Sequence, residues 1–117
     1  SWLERLQIDL PHAGNAMTDE ERSKFSTSVD VVQLKNYRAA VGCRSQEIFR
    51  ALKPEGLNHK VSQGRIQRVW DEAALLEAAS GIADYWSRRT IAGLLLMPAT
   101  RHNIVHLNEA LKLKRKL

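Results

Sequence analysis

The chain has 117 residues and a formal net charge of +5, from 18 Lys and Arg against 13 Asp and Glu. This length supplies one hydrophobic core, so we expect a single domain over residues 1–117. Only 6 Gly and 3 Pro interrupt it, which argues against a β-fold with many turns and predicts an all-α protein of long helices. With Cys43 as the one cysteine, an internal disulfide and a cysteine-based zinc site are excluded, and a reducing, cytoplasmic location is expected.

Membranes and nucleic acids are not the expected partners. The longest apolar run, residues 91–97, is far shorter than the roughly 20 residues of a membrane-spanning helix, and the chain opens with charged residues rather than a secretion signal. The basic excess lies at the C-terminal end, where five basic residues accompany Glu109 alone. Cations are favoured at the C-terminus of a helix dipole, and the stacking aromatic residues of a nucleic-acid interface are missing there.

Helical periodicity predicts the elements of the first half in chain order. Residues 1–7 are typical of the last turns of a helix, residues 9–18 of a loop, and residues 19–24 of a helical turn. A long helix is then predicted from an N-cap within residues 26–28 to about Lys53. Its apolar stripe recurs at helical spacing and contains Leu34, Tyr37, Val41, Ile48 and Leu52.

The sequence pattern of the second half of the chain predicts further helices. Residues 54–64 end the long helix and form a polar connection. A helix is expected over residues 67–79, broken by Ser and Gly at residues 80–81. Residues 82–116 then form one long helix kinked near Pro98, or two abutting helices. Helices of this length joined by few loops indicate a helical bundle.

Two histidines four residues apart, His102 and His106, are the most informative feature of the chain. At this spacing the Cβ atoms lie roughly 5–6 Å apart on one helical face, so both imidazoles can bind one divalent metal at about 2.0–2.1 Å. Helical geometry predicts that the pair lies at the inward edge of an apolar face. Glu109 follows three residues later, as a further ligand, an acceptor for an imidazole N–H, or a solvated acid.

The same spacing also fits two core-edge histidines that only make hydrogen bonds. A pair at i and i+4 arises by chance, and the glutamate of a zinc-peptidase helix is missing after His102. A metal site needs at least one more ligand. The other histidines, His12 and His59, lie in predicted loops, so either would have to fold over one end of the bundle.

Two segments of the chain resemble the DinB-like (damage-inducible) superfamily of four-helix bundles. They are Trp2-Leu3-Glu4-Arg5, before a long helix, and AGLLLMPATRHNIVHLNEALKLKRKL at residues 92–117. That superfamily includes bacillithiol-dependent S-transferases and mycothiol-dependent maleylpyruvate isomerases. Its C-terminal helix carries His-x-x-x-His before a Leu-rich basic stretch, which matches His102 and His106. Its other histidine ligand would fall before Ser1, so the resemblance implies an N-terminally incomplete bundle with one long kinked C-terminal helix.

The resemblance implies a metal-dependent thiol S-transferase or isomerase. In such a protein His102, His106 and an upstream ligand hold a divalent metal, zinc or nickel, that binds a low-molecular-weight thiol as the nucleophile for a small electrophile. No catalytic residue is assigned beyond these ligands. The alternative is a metal-free, non-catalytic helical module that forms a homodimer, because a bundle without one wall exposes apolar faces and self-associates.

Overall fold

The computed structural model describes residues 1–116, apart from the side chains of Pro98 and Ala99. The chain is 71% helical, and within the described residues its extended pairing is limited to an isolated bridge between Lys60 and Thr90. This confirms the all-α prediction. The α-helices are α1 (Trp2–Leu6), α2 (Asp19–Ser28), α3 (Val31–Ala51), α4 (Gln63–Asp71), α5 (Ser80–Ser87), α6 (Ile91–Leu96) and α7 (His102–Lys114).

The first two helices begin with the same capping arrangement. The hydroxyls of Ser1 and Thr18 accept the backbone N–H groups of Glu4 and Glu21. In return, the Glu21 side chain accepts the backbone N–H of Thr18, and the Glu4 carboxylate accepts a hydrogen bond from the terminal ammonium of Ser1. These reciprocal bonds satisfy donors that have no partner within the helix. Thr-x-x-Glu in the sequence is therefore the local reason that α2 starts at Asp19, and Ser-x-x-Glu stabilises the first turn of α1.

The long helix α3 starts later than predicted. Its N-cap is Asp30, whose carboxylate accepts a backbone N–H of the first turn at 3.0 Å. Residues 26–28 instead lie inside α2, where their hydroxyls donate to carbonyls of the preceding turn, so the predicted cap is wrong. α3 ends at Ala51 and packs against α1, where the rings of Trp2 and Tyr37 meet edge to face at 5.4 Å.

The helix predicted over residues 67–79 stops at Asp71. After α4 the backbone turns through Ala73, which adopts a left-handed conformation with φ 51°. The N–H groups of Ala73 and Ala74 donate to carbonyls in the last turn of α4, which closes that helix. The turn places Leu75 in the core, so burial of this side chain outweighs the helix propensity of the Ala-rich run.

The long helix predicted over residues 82–116 also begins and breaks differently. Residues 80–81 start α5 instead of ending a helix, and the chain leaves the helix at residues 88–90. There the hydroxyl of Thr90 accepts a backbone N–H of α6 at 3.1 Å. Backbone hydrogen bonds join this break to the polar connection at residues 57–61, so a distant segment replaces the hydrogen bonds that a continuous helix would make.

The irregularity predicted near Pro98 is present. Residues Met97–Arg101 form a π-helical segment that joins α6 to α7. Proline has no N–H to donate to the preceding turn, which favours such a wider turn. The hydroxyl of Thr100 donates to the carbonyl of Leu96 at 2.7 Å. The α-helical geometry is therefore interrupted at the predicted place, while the chain stays helical from Ile91 to Lys114.

The buried core lies where α4 and α5 meet. Leu75, Ala79 and Ala83 form its centre, and the partly buried residues around it include Trp70 and Trp86. The first loop is tied to this core at two points. The Ala13 N–H donates to the Ala74 carbonyl at 2.8 Å, and Ala16 packs against the cluster.

Two helices present apolar side chains to solvent. Every residue of α7 is exposed, and so are most residues of α3. No helix in the described part of the chain is both long enough and apolar enough to cross a membrane. The large exposed apolar residues form the α3 surface (Val31, Val32, Tyr37, Val41, Ile48 and Phe49) and the α7 surface (Ile104, Val105, Leu107, Leu111 and Leu113).

Two adjacent leucines test the position of the core. Leu75 is 6% exposed and Leu76 is 40% exposed. We predict that Leu75→Ala lowers the free energy of unfolding by about 2–5 kcal/mol, because it leaves a cavity in the packed cluster. Leu76→Ala, the matched control, lowers it by about 1 kcal/mol or less. Urea denaturation of the three proteins measures both values, and equal losses would place the core elsewhere.

A surface ion pair sets the second test. The Lys24 ammonium donates to the Asp9 carboxylate at 3.1 Å and, through that bond and its charge, lowers the pKa of Asp9. The pair therefore stabilises the fold above the ordinary aspartate pKa of about 3.9 and loses this effect as pH falls through the lowered folded pKa. We predict that Lys24→Met raises the pKa of Asp9, whereas Lys35→Met leaves it unchanged. Carboxyl NMR titration checks both, and an unmoved Asp9 in Lys24→Met contradicts the pairing.

Candidate metal centre

The rings of His102 and His106 meet in the first turns of α7. Their Nε2 atoms are 2.9 Å apart, the ring centroids are separated by 4.5 Å, and the ring planes cross at 85°. Helical spacing produces this contact, because residues four apart lie one above the other on the same face. The structure therefore brings the two predicted ligands together through the same ring nitrogen.

Glu109 lies on the far side of the His106 ring. Its Oε2 is 3.0 Å from His106 Nδ1, which is the nitrogen directed away from His102. Both side chains stay about three-fifths exposed, at 62% and 61%. Of the three roles left open by the sequence, the geometry supports the acceptor that orients an imidazole N–H. Glu109 and the two histidines do not together form a group that could hold a metal ion.

These contacts assign a tautomer to each ring when both are neutral. His106 donates its Nδ1–H to Glu109, so its Nε2 carries a lone pair. His102 then donates its Nε2–H to that lone pair. A metal between the rings needs a lone pair on both Nε2 atoms. His106 is therefore already in the ligating tautomer, and His102 has to move its proton to Nδ1.

The spacing of the two nitrogens fits two adjacent ligand positions of a divalent metal. Atoms 2.9 Å apart subtend about 90° at a metal that lies about 2.05 Å from each, as in octahedral or square-planar geometry. A tetrahedral site needs a separation of about 3.4 Å, which a small rotation of either exposed ring provides. Two imidazoles are the donor type that zinc and nickel accept.

A third ligand is not found among residues 1–116. No group of three or more His, Cys, Asp or Glu in this described range is placed to hold a metal. His12 accepts a hydrogen bond from the Gly14 backbone N–H, and His59 is exposed in the polar connection. Neither completes the site, so the described chain supplies two positions of the coordination sphere.

The predicted inward orientation of the pair is wrong. The sequence placed His102 and His106 at the edge of a packed apolar face, whereas both are exposed. The reason is that α7 packs substantially only against the π-helical segment before it, within the described residues. Its apolar side chains therefore stay in solvent, and the point between the rings is open.

The chain matches no family model, no curated protein and no solved structure. The DinB-like assignment consequently stays a prediction that rests on the motif around His102 and His106.

A second concave feature, not identified from the sequence, lies at the other end of the chain. It is an apolar cavity of about 490 Å³ whose lining runs from Trp2 to Tyr37 and includes His12. Its residues come from three helices and a loop and share no periodicity. The sequence signal for this feature was a glycine in the loop, Gly14. In the structure Gly14 has a φ of +77°, which marks a tight turn.

The hydrogen-bond chain from Glu109 through His106 to His102 can be tested without metal. We predict that nitrogen-detected NMR of the neutral rings finds the Nδ1–H tautomer at His106 and the Nε2–H tautomer at His102. Glu109→Gln removes the charged acceptor and shifts His106 towards the ordinary tautomer mixture. Glu72→Gln, a change directly after α4, leaves both rings unaltered. A His106 ring that is protonated on Nε2 in the unsubstituted chain contradicts this assignment.

Proposed function

We propose that the chain has the DinB-like four-helix-bundle fold and acts as a metal-dependent thiol S-transferase or isomerase. In this proposal the Nε2 atoms of His102 and His106 hold a divalent metal, zinc or nickel. The observation that carries the proposal is the 2.9 Å separation of the two Nε2 atoms, together with the hydrogen bond by which Glu109 orients the His106 ring. The remaining ligand comes from outside the described residues.

Each residue of the proposed site has a defined task. His102 and His106 bind through nitrogen, and Glu109 fixes the orientation of the His106 ring and increases its basicity as a ligand. A divalent metal held by these nitrogens would lower the pKa of a thiol bound to it, so that a thiolate nucleophile would be available at neutral pH. The exposure of both rings leaves open positions for the thiol and for a small electrophilic or unsaturated substrate.

Charge near the site favours an anionic thiol cofactor. Lys112 and Lys114 lie on the same helix as the histidine pair, and Arg115 and Lys116 follow directly. Such a basic end raises the local concentration of a small anion, though this effect is screened by salt. A cytoplasmic setting fits the proposal, because a free low-molecular-weight thiol requires reducing conditions.

A second candidate function is favoured by the exposed apolar helices. The α3 surface and the α7 surface together hold eleven large apolar side chains in solvent, and such patches mark interaction sites. Two copies that pack these surfaces together would form a metal-free, non-catalytic homodimer. In that case His102 and His106 contribute hydrogen bonds and no chemistry.

Metal titration separates the two candidates. We predict that calorimetry with Zn²⁺ and Ni²⁺ detects one site per chain. His102→Ala or His106→Ala weakens binding at least tenfold, because one of the two proposed ligands is lost, and Glu109→Gln weakens it about tenfold through the orienting bond. His59→Ala, an exposed histidine outside the site, is the control and leaves the affinity unchanged.

The readouts have opposite meanings for the two candidates. For the enzyme, metal-loaded protein accelerates attack of a low-molecular-weight thiol on monobromobimane, and His102→Ala abolishes this acceleration. For the homodimer, no metal binds, and light scattering finds a dimer that Leu107→Asp dissociates while His102→Ala does not. Metal affinity that survives in the His102→Ala/His106→Ala double variant contradicts the proposed site.

A further inference from the structure

The cavity at the N-terminal end is formed by elements that take no part in the histidine pair. It lies between α1, the loop that follows it, α2 and α3, and has a volume of about 490 Å³. That volume lies within the range of about 300–1,000 Å³ that is usual for small-molecule sites. We call it the N-terminal cavity; its main walls are Trp2, Leu6, Leu10, Phe25, Leu34 and Tyr37.

Backbone hydrogen bonds hold the walls of the N-terminal cavity. The Leu6 carbonyl at the end of α1 accepts the Asp30 N–H at 3.1 Å, which fixes α1 to the start of α3. The loop is held at Ala13 by its bond to the α4–α5 turn. Within the loop, Gly14 has a φ of +77°, and an added Cβ would lie 3.1 Å from the Met17 sulfur. The cavity is therefore shaped before any ligand binds.

One lining side chain has its hydrogen-bonding role fixed by the fold. His12 Nδ1 accepts the Gly14 backbone N–H at 3.1 Å. In the neutral ring the proton consequently resides on Nε2, so the Nε2 of His12 can donate a hydrogen bond and cannot accept one. No hydrogen bond among the described residues uses this Nε2. An apolar cavity with one such donor is suited to a ligand that carries an acceptor oxygen.

We propose that the N-terminal cavity binds one small planar aromatic molecule that carries a carbonyl oxygen. Trp2 and Tyr37 meet edge to face and with Phe25 supply aromatic walls. A flat aromatic ring packed against these walls buries a large apolar area and can make edge-to-face or offset-stacked contacts. The His12 Nε2–H donates to the carbonyl oxygen and sets the orientation of the ligand. This site is independent of the metal chemistry proposed for α7.

An isosteric pair of probes, acetylnaphthalene and ethylnaphthalene, tests the proposal on the full chain. We expect saturable binding of both at one site, followed by amide NMR shifts at Ala13, Gly14 and Met17. The acetyl probe binds about fivefold more tightly, since only it accepts a hydrogen bond. Leu34→Trp fills the cavity and weakens both probes at least tenfold, whereas Val32→Trp, on the exposed side of α3, leaves both affinities unchanged.

A second variant covers the case in which Leu34→Trp fails to fold. His12→Asn keeps an acceptor near the position of Nδ1 but lacks the Nε2–H, so the acetyl probe loses its fivefold advantage and the ethyl probe is unaffected. Shifts confined to the α3 or α7 surface, or probe binding that weakens as protein concentration rises, would overturn the proposal. The second result would mean that another copy of the chain occupies the cavity.

Discussion

The contact between His102 and His106 is the interaction on which the functional account depends. The contact needs only one helical turn and one hydrogen-bond acceptor. The turn places the two Nε2 atoms 2.9 Å apart, and Glu109 sets the tautomer of His106. Because these requirements are local to α7, the pair persists although that helix packs against little else in the described chain. A weakly packed helix can thus present two imidazole rings in a defined orientation.

Features that depend on short-range order could be predicted from the sequence. The all-α class, the loop near Gly14, the long α3 and the irregularity near Pro98 follow from helical periodicity, from residues that break helices and from the missing N–H of proline. The helix breaks near Ala73 and Thr90 could not be predicted in this way. The first buries Leu75 and bonds to the distant Ala13, and the second is joined to residues 57–61. Such tertiary contacts do not change the periodicity of the local sequence, so periodicity cannot predict them.

The same division applies to the candidate site. Spacing alone identified His102 and His106 as neighbours, because i and i+4 neighbours are a property of any helix. Whether their shared face is buried depends on what packs against α7, and the expected burial was wrong. The role of Glu109 could be predicted only in part. Its spacing permitted three roles, and the hydrogen bond to His106 Nδ1 distinguished among them.

The central claim is that both Nε2 atoms bind the same metal ion. Cadmium-substituted, isotope-labelled protein tests it directly, since NMR detects couplings between the metal nucleus and each ligating nitrogen. We predict couplings to Nε2 of His102 and of His106 on one cadmium resonance, with the Nδ1–H of His106 still bonded to Glu109. Coupling to only one of these histidines, or to Nδ1 of His106, would contradict it.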